Sequence, residues 1–475
     1  MPGTQPARGT RDFLPDDIRR REYVIRIVRD VYERYGFEPL ETPAFENIET
    51  LLGKYGEEGN KLIFKILKRG EHEASGEADL ALRYDLTVPL ARVVAQYQNE
   101  LPRFFKRYQI QPVWRADRPA RGRFREFSQC DIDAIGSTSP VVEVEILSAV
   151  SEILKTLGFE DFIIRLNDRR LLDALLQAAG VPALLTAPAL VTIDKREKIG
   201  RDGVIAELVD RGLEPHVANR CIELLTPDTE NRTFSQLAGD PSLNDAILDH
   251  LREAVRPHPD GLVALQSLAN IRSIAHGTPA WERLAFDPSL ARGLSYYTGA
   301  IMEIAVEGIG SLGGGGRYDN LVGMFLGRDV PACGFSLGLE RIIVLMTERN
   351  MFPPAVALGA VDILVTIWSD ESRAASVALA ADLRKSGLRV DVYPEADRLG
   401  KQFKYASSRN VPFVAILGDD ERARGEVAVK DLRSGEQAAM PRHEVGSFVA
   451  ANREPRTENR EPRTENLEPR TNPEP

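Results

Sequence analysis

An arginine-rich stretch between two apolar segments constrains the fold of this 475-residue chain more than any other feature. It occupies residues 104–133, where prolines and a glycine lie between segments of strand-like composition. This pattern predicts two antiparallel strands joined by a loop. Arginines in such a loop can grip phosphate with paired hydrogen bonds, and Phe127 offers a face on which a base can stack. A solvated charged hairpin explains the composition equally well.

Composition sets wider bounds on the rest of the chain. The length allows two to four domains. Hydrophobic residues at 43% and charged residues at 28% are typical of a globular protein with apolar cores. No run of about 18 apolar residues is present, so we expect no membrane span, and residues 1–10 lack the pattern of a signal peptide. The formal net charge of −10 argues against nonspecific coating of nucleic acid but leaves room for a specific RNA contact.

Cysteine and histidine usage excludes two kinds of site. The three cysteines lie far apart and form no CxxC pair, and the six histidines include no HxxxH or HxH pair. We therefore expect neither a disulfide framework nor a built-in zinc site. A reducing cytoplasm is the simplest compartment for such a chain.

The apolar periodicity divides the chain into stretches of different character. A helix with an apolar stripe starts at Pro15 and ends at Gly36. From residue 361 strands alternate with helices, which predicts a small α/β domain with a largely parallel sheet. The last residues repeat a charged, proline-containing unit that cannot bury enough surface to become ordered. We expect a core at 1–168 and 278–349, a helical insertion at 169–277, a linker at 350–360, an α/β domain at 361–450 and a disordered tail at 451–475.

Three further motifs carry polar chemistry. Residues 287–299 contain Arg292 and two adjacent tyrosines, which either line a small polar pocket or belong to a tyrosine-rich edge strand. Four successive glycines at 313–316 form either a slack loop or a backbone that a ligand approaches closely, and they do not fit the P-loop pattern. Residues 338–341 lead into a helix whose first turn carries Arg341, which a solvated helix face explains equally well.

These motifs resemble those of the class II aminoacyl-tRNA synthetases. Residues 104–133 resemble motif 2 of that superfamily, and residues 338–341 resemble motif 3. The helix that ends at Gly36, with the following segment around Pro43, resembles motif 1, the dimer element. The resemblance implies an α+β fold: the antiparallel sheet of the class II enzymes with its helices, a helical insertion, and a C-terminal α/β anticodon-binding domain.

Two peptides are more specific. Arg292-Gly-Leu-Ser-Tyr-Tyr and the Gly-Gly-Gly-Arg-Tyr-Asp peptide at 314–319 resemble the two signature peptides of histidyl-tRNA synthetases. Residues 82–89 match the archaeal-eukaryotic-like version of that family, and the resemblance covers about residues 5–445. It implies ATP-dependent activation of L-histidine to histidyl-adenylate and transfer of histidine to the 3′ end of histidine tRNA.

The resemblance also implies the partners of the chain. ATP would enter as its Mg²⁺ complex, with no tightly bound cofactor and no metal held by the protein itself. The other partners would be L-histidine, histidine tRNA and a second copy of the chain in a homodimer. A membrane would not be involved.

Eleven side chains acquire roles by the same resemblance. Arg115 and Arg292 would be catalytic and would contact the α-phosphate of ATP from opposite sides, Arg292 standing where other class II enzymes place a metal ion. ATP would be bound by Arg115, by Arg123 and Arg341 at its β- and γ-phosphates, and by Phe127 at its adenine. The amino group of histidine would be bound by Asp85, Thr87 and Gln129. The histidine ring would be bound by Asp133, Tyr296 and Tyr297, and Arg292 would also contact histidine. The chain departs from the family at Ser295, where the signature peptide usually has an acidic residue.

Other interpretations stay open at this point. A regulatory subunit of ATP phosphoribosyltransferase shares the catalytic fold and binds histidine as a signal, but the phosphate arginines and the full C-terminal domain argue against it. A prolyl or threonyl enzyme is disfavoured by the peptide at Arg292. Asp133 is alternatively a helix cap or a turn residue. Arg398, Lys401 and Lys404 either meet tRNA phosphates or lie on a solvated face.

Overall fold

The structure is a computed structural model that describes residues 3–68, 76–225, 241–292, 296–307, 309–357 and 361–453. The backbone divides into two compact units, Met1–Met351 and Phe352–Pro475. Ser295 and the predicted tail from residue 454 onward lie outside the described residues.

The first unit contains both strands and helices. Its strands are β1 (Glu38–Pro39), β2 (Phe45–Asn47), β3 (Lys65–Leu67), β4 (Ala78–Leu82), β5 (Phe105–Trp114), β6 (Glu126–Ile135), β7 (Phe162–Asp168), β8 (Leu284–Phe286), β9 (Ala300–Val306), β10 (Gly310–Arg317) and β11 (Ala332–Gly338). Its α-helices are α1 (Pro15–Arg34), α2 (Ile48–Leu51), α3 (Gly56–Lys61), α4 (Thr87–Gln96), α5 (Val141–Thr156), α6 (Arg169–Ala178), α7 (Thr186–Ile193), α8 (Arg196–Asp210), α9 (Pro215–Leu225), α10 (Pro241–Ala254), α11 (Pro259–Ala275), α12 (Gly323–Leu326) and α13 (Leu339–Glu348). Single-turn 3₁₀ helices lie at Ala183–Leu185 and Trp281–Arg283.

An eight-stranded sheet forms the framework of the first unit. Its strand order is β1-β5-β6-β11-β10-β9-β7-β8. Neighbouring strands are antiparallel except in the two outermost pairs, β1 with β5 and β7 with β8, which are parallel. A second, three-stranded antiparallel sheet has the order β2-β4-β3. The antiparallel sheet predicted from the resemblance is therefore confirmed.

Three helices pack over the centre of this sheet. Helix α1 buries Val24, Val28 and Val31, which recur at helical spacing and so form one apolar stripe. It packs against α5 and α13, and these contact β11 and β6 respectively. The central strands are consequently almost wholly buried, and polar side chains on them need partners inside the protein.

The arginine-rich stretch forms the predicted antiparallel hairpin. Strands β5 and β6 pair without interruption from Phe105 opposite Ile135 to Trp114 opposite Glu126. Because β6 also pairs with β11, it is an interior strand, and residues 128–135 are buried. The interpretation of this stretch as a solvated hairpin was therefore wrong for its strands.

The described residues between β7 and β8 form helices joined by turns, as their periodicity predicts. Helix α11 packs against α5, α6 and β7 and so joins this stretch to the sheet. No helix among the described residues is long and apolar enough to cross a membrane.

The second unit is a five-stranded sheet with helices on both faces. Its strands are β12 (Ile363–Val365), β13 (Val390–Val392), β14 (Phe413–Ile416), β15 (Glu426–Asp431) and β16 (Gln437–Pro441), and its helices are α14 (Pro354–Ala357), α15 (Arg373–Lys385), α16 (Leu399–Ser408), α17 (Asp419–Arg424) and α18 (Val445–Asn452). The strand order is β13-β12-β14-β15-β16. Side chains of α15 and α18 fill one apolar core, and those of α16 fill the other.

The sheet of the second unit is only half parallel. Strand β12 is parallel to β13 and β14, whereas β14 with β15 and β15 with β16 are antiparallel. The prediction of a largely parallel sheet was therefore wrong for the last two strands. The connection at 417–425 is shorter than the dozen or so residues that a parallel crossover needs, so β15 must run back beside β14.

Candidate active site

All eleven side chains singled out in the sequence line one cavity of about 490 Å³ in the first unit. They are Asp85 and Thr87 at the start of α4, Arg115, Arg123, Phe127, Gln129 and Asp133 on and beside the β5–β6 hairpin, Arg292, Tyr296 and Tyr297 ahead of β9, and Arg341 in the first turn of α13. These motifs are far apart in the sequence. They meet because β6, β11, β10 and β9 are successive neighbours in the large sheet.

Part of the cavity wall is strongly cationic. Arg115, Arg123, Arg292 and Arg341 all line it. Burial lowers the pKa of Arg341, and the charges of Arg123, Arg292 and Arg115 lower it further. Positive charges gathered in a concave surface attract an anion strongly. This wall therefore suits a polyanion such as a triphosphate, and Arg341 does not lie on a solvated helix face.

Arg292 lies between the carboxylate of Glu303 and the glycine residues of β10. Its Nη1 donates to Glu303 Oε2 at 2.9 Å, and Glu303 Oε1 also pairs with Arg165 Nη1 at 3.0 Å. The guanidinium lies directly against Gly314, where a Cβ atom would overlap it. The glycine run therefore forms the middle of β10, and its interpretation as a slack loop was wrong.

Aromatic rings fix the plane of Arg115. Its Nε donates to the carbonyl oxygen of Tyr84 at 3.0 Å. Its guanidinium carbon stands 4.3 Å from the centre of the Tyr84 ring and 5.2 Å from that of Phe127. A planar guanidinium held in this way presents its remaining N–H groups in a fixed direction.

Asp133 lies deep in the cavity and is almost wholly buried. Its Oδ1 accepts a hydrogen bond from the hydroxyl of Tyr318, and its Oδ2 pairs with Arg107. The neighbouring strand residue is Gly334, and a Cβ atom there would overlap the carboxylate. The interpretations of Asp133 as a helix cap or turn residue were wrong, because it lies inside β6.

A second buried carboxylate stands at the start of α4. Asp85 Oδ1 accepts hydrogen bonds from the hydroxyl of Tyr55 at 3.0 Å and the backbone N–H of Val88 at 3.1 Å. Its Oδ2 lies 3.5 Å from the hydroxyl of Tyr296. Burial raises the pKa of Asp85, against the hydrogen bond from Val88 and the charge of Arg115, which lower it.

Adjacent tyrosines stand beside these carboxylates rather than on an edge strand. The ring centres of Tyr296 and Tyr297 are 5.0 Å apart, and that of Tyr296 is 6.0 Å from Tyr318. Both tyrosines precede β9, an interior strand of the sheet, so the edge-strand interpretation was wrong. Gln129 completes this region, since its Nε2 donates to the hydroxyl of Ser336 at 2.6 Å.

Sequence reasoning missed several residues of the cavity. Two of them, Tyr318 and Asp131, lie inside the motifs described above. Asp131 could have been found, because alternate residues of a strand share one face and Asp131 stands between Gln129 and Asp133. Asp194 and Lys198 also line the cavity, although they belong to the predicted helical insertion, in which no ligand signature was found. Among the described residues, no group of three His, Cys, Asp or Glu side chains is arranged to hold a metal ion.

Comparison with known proteins gives two family matches along the chain. Residues 9–342 match the model of histidyl-tRNA synthetase, and residues 361–452 match that of an anticodon binding domain. A histidine–tRNA ligase of Porphyromonas gingivalis is 41% identical over 462 residues, which cover 94% of this chain and 98% of the relative. One of Gloeobacter violaceus is 40% identical over 468 residues, covering 93% and 97%.

Solved structures agree with these matches. A crystal structure of histidyl-tRNA synthetase from Nostoc sp. PCC 7120 aligns with a TM-score of 0.75 and 30% identity, over 94% of this chain and 99% of that one. A Bacillus halodurans structure described as an ATP phosphoribosyltransferase regulatory subunit/histidyl-tRNA synthetase aligns at 0.66 with 22% identity, over 86% of this chain and 98% of that one, and so shows the fold alone. With a family model over most of the first unit and relatives aligned over nearly their whole length, the chain belongs to the histidyl-tRNA synthetase family.

Proposed function

We infer that the protein activates L-histidine with ATP, forming histidyl-adenylate, and transfers the histidine to the 3′ end of histidine tRNA. One observation carries this conclusion: a wall of arginines shares a single cavity with buried carboxylates and tyrosine hydroxyls. The arginines suit a triphosphate. The polar groups suit neutral imidazole, which has one N–H donor and one acceptor nitrogen.

The activation step depends on electrostatics. The carboxylate of histidine attacks the α-phosphorus of ATP in line, a new O–P bond forms, and the bond to the bridging oxygen breaks to release pyrophosphate. The nucleophile is already an anion, so it needs no protein base. Catalysis therefore consists of holding two anions together and neutralising the charge that builds on the five-coordinate phosphorus.

The arginine wall takes the phosphates in this proposal. Arg115 contacts the α-phosphate and the histidine carboxylate, and Arg292 contacts the α-phosphate from the other side. Arg123 and Arg341 hold the β- and γ-phosphates, and Phe127 stacks on adenine. Mg²⁺ enters with ATP, bound to phosphate oxygens, since those are the ligands it prefers.

The buried polar groups select histidine in this proposal. Its amino group is bound by Asp85, Thr87 and Gln129, and its ring lies among Asp133, Tyr296 and Tyr297. An amino acid that cannot pair with these groups leaves them desolvated without a partner. Sites built on buried hydrogen bonds therefore reject analogues strongly.

In the second step the terminal ribose hydroxyl of the tRNA attacks the carbonyl carbon of the adenylate, and AMP leaves. We propose that the second unit binds the anticodon arm and that residues 169–277 act as an insertion domain, from which Asp194 and Lys198 reach the cavity. We also propose a homodimer through the motif 1 region, where Phe45 is half exposed. The three cysteines are free and buried, which fits a reducing cytoplasm.

Exchange of labelled pyrophosphate into ATP tests the first step. With magnesium present, exchange should require histidine and fail with the other nineteen common amino acids. Binding of histidine without exchange would favour the regulatory function, and exchange driven by proline or threonine would identify a different synthetase. Charging of histidine tRNA by the same preparation tests the second step.

A further inference from the structure

A buried arginine beneath the cavity has no part in the mechanism above. Arg107 lies in β5 opposite Asp133 of β6, and its side chain is fully buried. Its Nη2 stands 2.9 Å from Asp133 Oδ2 and 4.0 Å from Asp131 Oδ2. The same nitrogen donates to the carbonyl oxygen of Leu86 at 3.2 Å. One guanidinium group therefore contacts both Asp133 of the cavity wall and the residue between the two wall residues Asp85 and Thr87.

These two interactions join the groups proposed for the two ends of histidine. Leu86 stands between Asp85 and Thr87, which are proposed to hold the amino group. Asp133 is proposed to face the ring. Because Nη2 touches both the Leu86 carbonyl and the Asp133 carboxylate, it sets the distance between the start of α4 and the middle of β6. That distance decides which amino acid reaches both ends at once.

Strand pairing alone does not explain Arg107. The hairpin is already held by ten residue pairs in uninterrupted register, and a buried ion pair adds little stability compared with apolar side chains of similar size. Burial raises the pKa of both Asp131 and Asp133, that of Asp131 to about 7, and Arg107 opposes the rise in each. The arginine therefore favours the charged form of both desolvated carboxylates and lies beside both.

We propose that Arg107 is a positioning residue for histidine selection, which fixes the Asp133 carboxylate relative to the Leu86 carbonyl. The inference rests on the proposed function, because Asp133 and the segment around Leu86 are taken as the groups that bind histidine. It assigns Arg107 no contact with the substrate. Its effect should therefore appear in the affinity for histidine and not in the affinity for ATP.

Calorimetry with histidine alone and with ATP alone tests the proposal independently of catalysis. Arg107→Met should weaken histidine binding by about 10- to 100-fold, the effect of losing the charge-assisted hydrogen bond from the imidazole ring to a displaced Asp133. ATP affinity should change by less than about threefold, because the substitution removes no group that is proposed to contact the nucleotide. Arg107→Lys should recover part of the affinity for histidine, because an ammonium group keeps the charge but lacks the planar fork.

Arg83→Met is the matched control. Arg83 is as deeply buried as Arg107, but its guanidinium donates to carbonyl oxygens of Thr42, Pro43 and Pro112, none of which lines the cavity. This variant should lower the melting temperature and change the ratio of histidine to ATP affinity much less than Arg107→Met does, because the charge of Arg83 reaches Asp131 but its guanidinium donates to carbonyl oxygens outside the cavity. Equal effects of the two Met variants on that ratio would overturn the proposal.

A charge-balanced variant separates position from charge. Arg107→Met with Asp131→Asn removes one cation and one carboxylate together, so the net charge around Asp133 is kept above about pH 7, where Asp131 is ionised. Histidine binding should remain weak, because the bridge to Leu86 is still missing. Recovery to the wild-type affinity would overturn the positioning role. If Arg107→Met alone does not fold, this variant and Arg107→Lys carry the test.

The pH profile supplies a readout that reduced stability alone would not move. The titratable and charged groups that face Asp131 and Asp133 are Arg107 on β5, Tyr318 after β10, Asp85 before α4, Tyr32 on α1, Arg83 after β4, Cys130 on β6 and Cys333 on β11. An ionised carboxylate accepts the imidazole N–H more strongly than the protonated acid does, so histidine binding weakens as the pH falls through the pKa of Asp133. Without Arg107 that pKa rises further, and the acid limb should move to higher pH in Arg107→Met.

Failure of this inference differs from failure of the proposed function. Wild-type protein that binds histidine without pyrophosphate exchange would overturn the proposed activity and leave the Arg107 comparison intact. Active wild-type protein with an unchanged dissociation constant for histidine in Arg107→Met would overturn the inference alone. Wild-type protein that does not bind histidine would overturn both.

Discussion

At the scale of single residues, Arg292 is the side chain whose charge the proposed reaction uses most directly. Replacing it with Ala should lower kcat for activation by about 10² or more, since its charge is needed mainly when the phosphorus becomes five-coordinate. The KM values for ATP and histidine should change much less. Steady-state pyrophosphate exchange measures both, and an unchanged kcat would show that another group stabilises the phosphate.

Gly314 supplies an independent way to disturb the same guanidinium. A Cβ atom at Gly314 would meet the end of the Arg292 side chain, which can move aside without unfolding the strand. Gly314→Ala should therefore lower kcat as Arg292→Ala does, and the double variant should be little worse than Arg292→Ala. Additive losses in this cycle would show that Gly314 acts through something other than Arg292.

We propose that Asp133 recognises the imidazole ring and so distinguishes histidine from other amino acids. Asp133→Asn keeps the volume and an acceptor for Tyr318 but removes the charge. We expect the KM for histidine to rise by roughly 10- to 100-fold, the effect of removing a charge-assisted hydrogen bond, while the KM for ATP barely moves. A variant that melts earlier but keeps the wild-type KM for histidine would leave Asp133 as a purely structural residue.

At the scale of elements, α16 presents the cations proposed to meet tRNA. Gln402 and Ala406 turn inward, whereas Arg398 and Lys404 are exposed. The third cation, Lys401, pairs with Asp397. Exchanging Arg398 and Lys404 for Glu should raise the KM for tRNA in charging and leave pyrophosphate exchange unchanged. The plot of log affinity against log salt has a negative slope, and the magnitude of that slope should decrease by about 0.7 to 0.9 for each phosphate that the protein no longer neutralises.

Lys385 provides the control for that prediction. It ends α15, which packs on the opposite face of the same sheet and is also exposed to solvent. Lys385→Glu changes the net charge of the unit by the same amount per residue without touching α16. A similar decrease of tRNA affinity in this variant would mean that overall charge, and not the α16 surface, governs the effect.

At the scale of the whole molecule, all eleven proposed site residues lie in the first unit. Truncation at about Gly359 should therefore leave adenylate formation and sharply weaken charging of tRNA. Deletion of residues 452–475 should leave both steps intact, because the repeat has no core to contribute. Pyrophosphate exchange and charging, measured on the same preparations, separate the two steps, and equal loss of both on truncation would make the second unit structural for the active site.

The sequence by itself determined the parts of this protein whose cause is local. The β5–β6 hairpin, the helix from Pro15 and the strand-helix alternation after residue 361 all follow from periodicity and turn residues within short windows. The proposed site residues follow from the resemblance of contiguous peptides to family motifs, and such a resemblance is visible in a short stretch of sequence. Local patterns survive folding, since neighbours in sequence remain neighbours in space.

Tertiary structure decided everything that depends on pairing between distant segments. Only the register of β5 with β6 sets Arg107 opposite Asp133, and only the register of β6 with β11 sets Gly334 beside the same carboxylate. Likewise, Asp194 and Lys198 reach the cavity through the path of α7 and α8. Composition does not encode such pairings, because the sequence around a buried charged residue does not show which distant residue will pair with it.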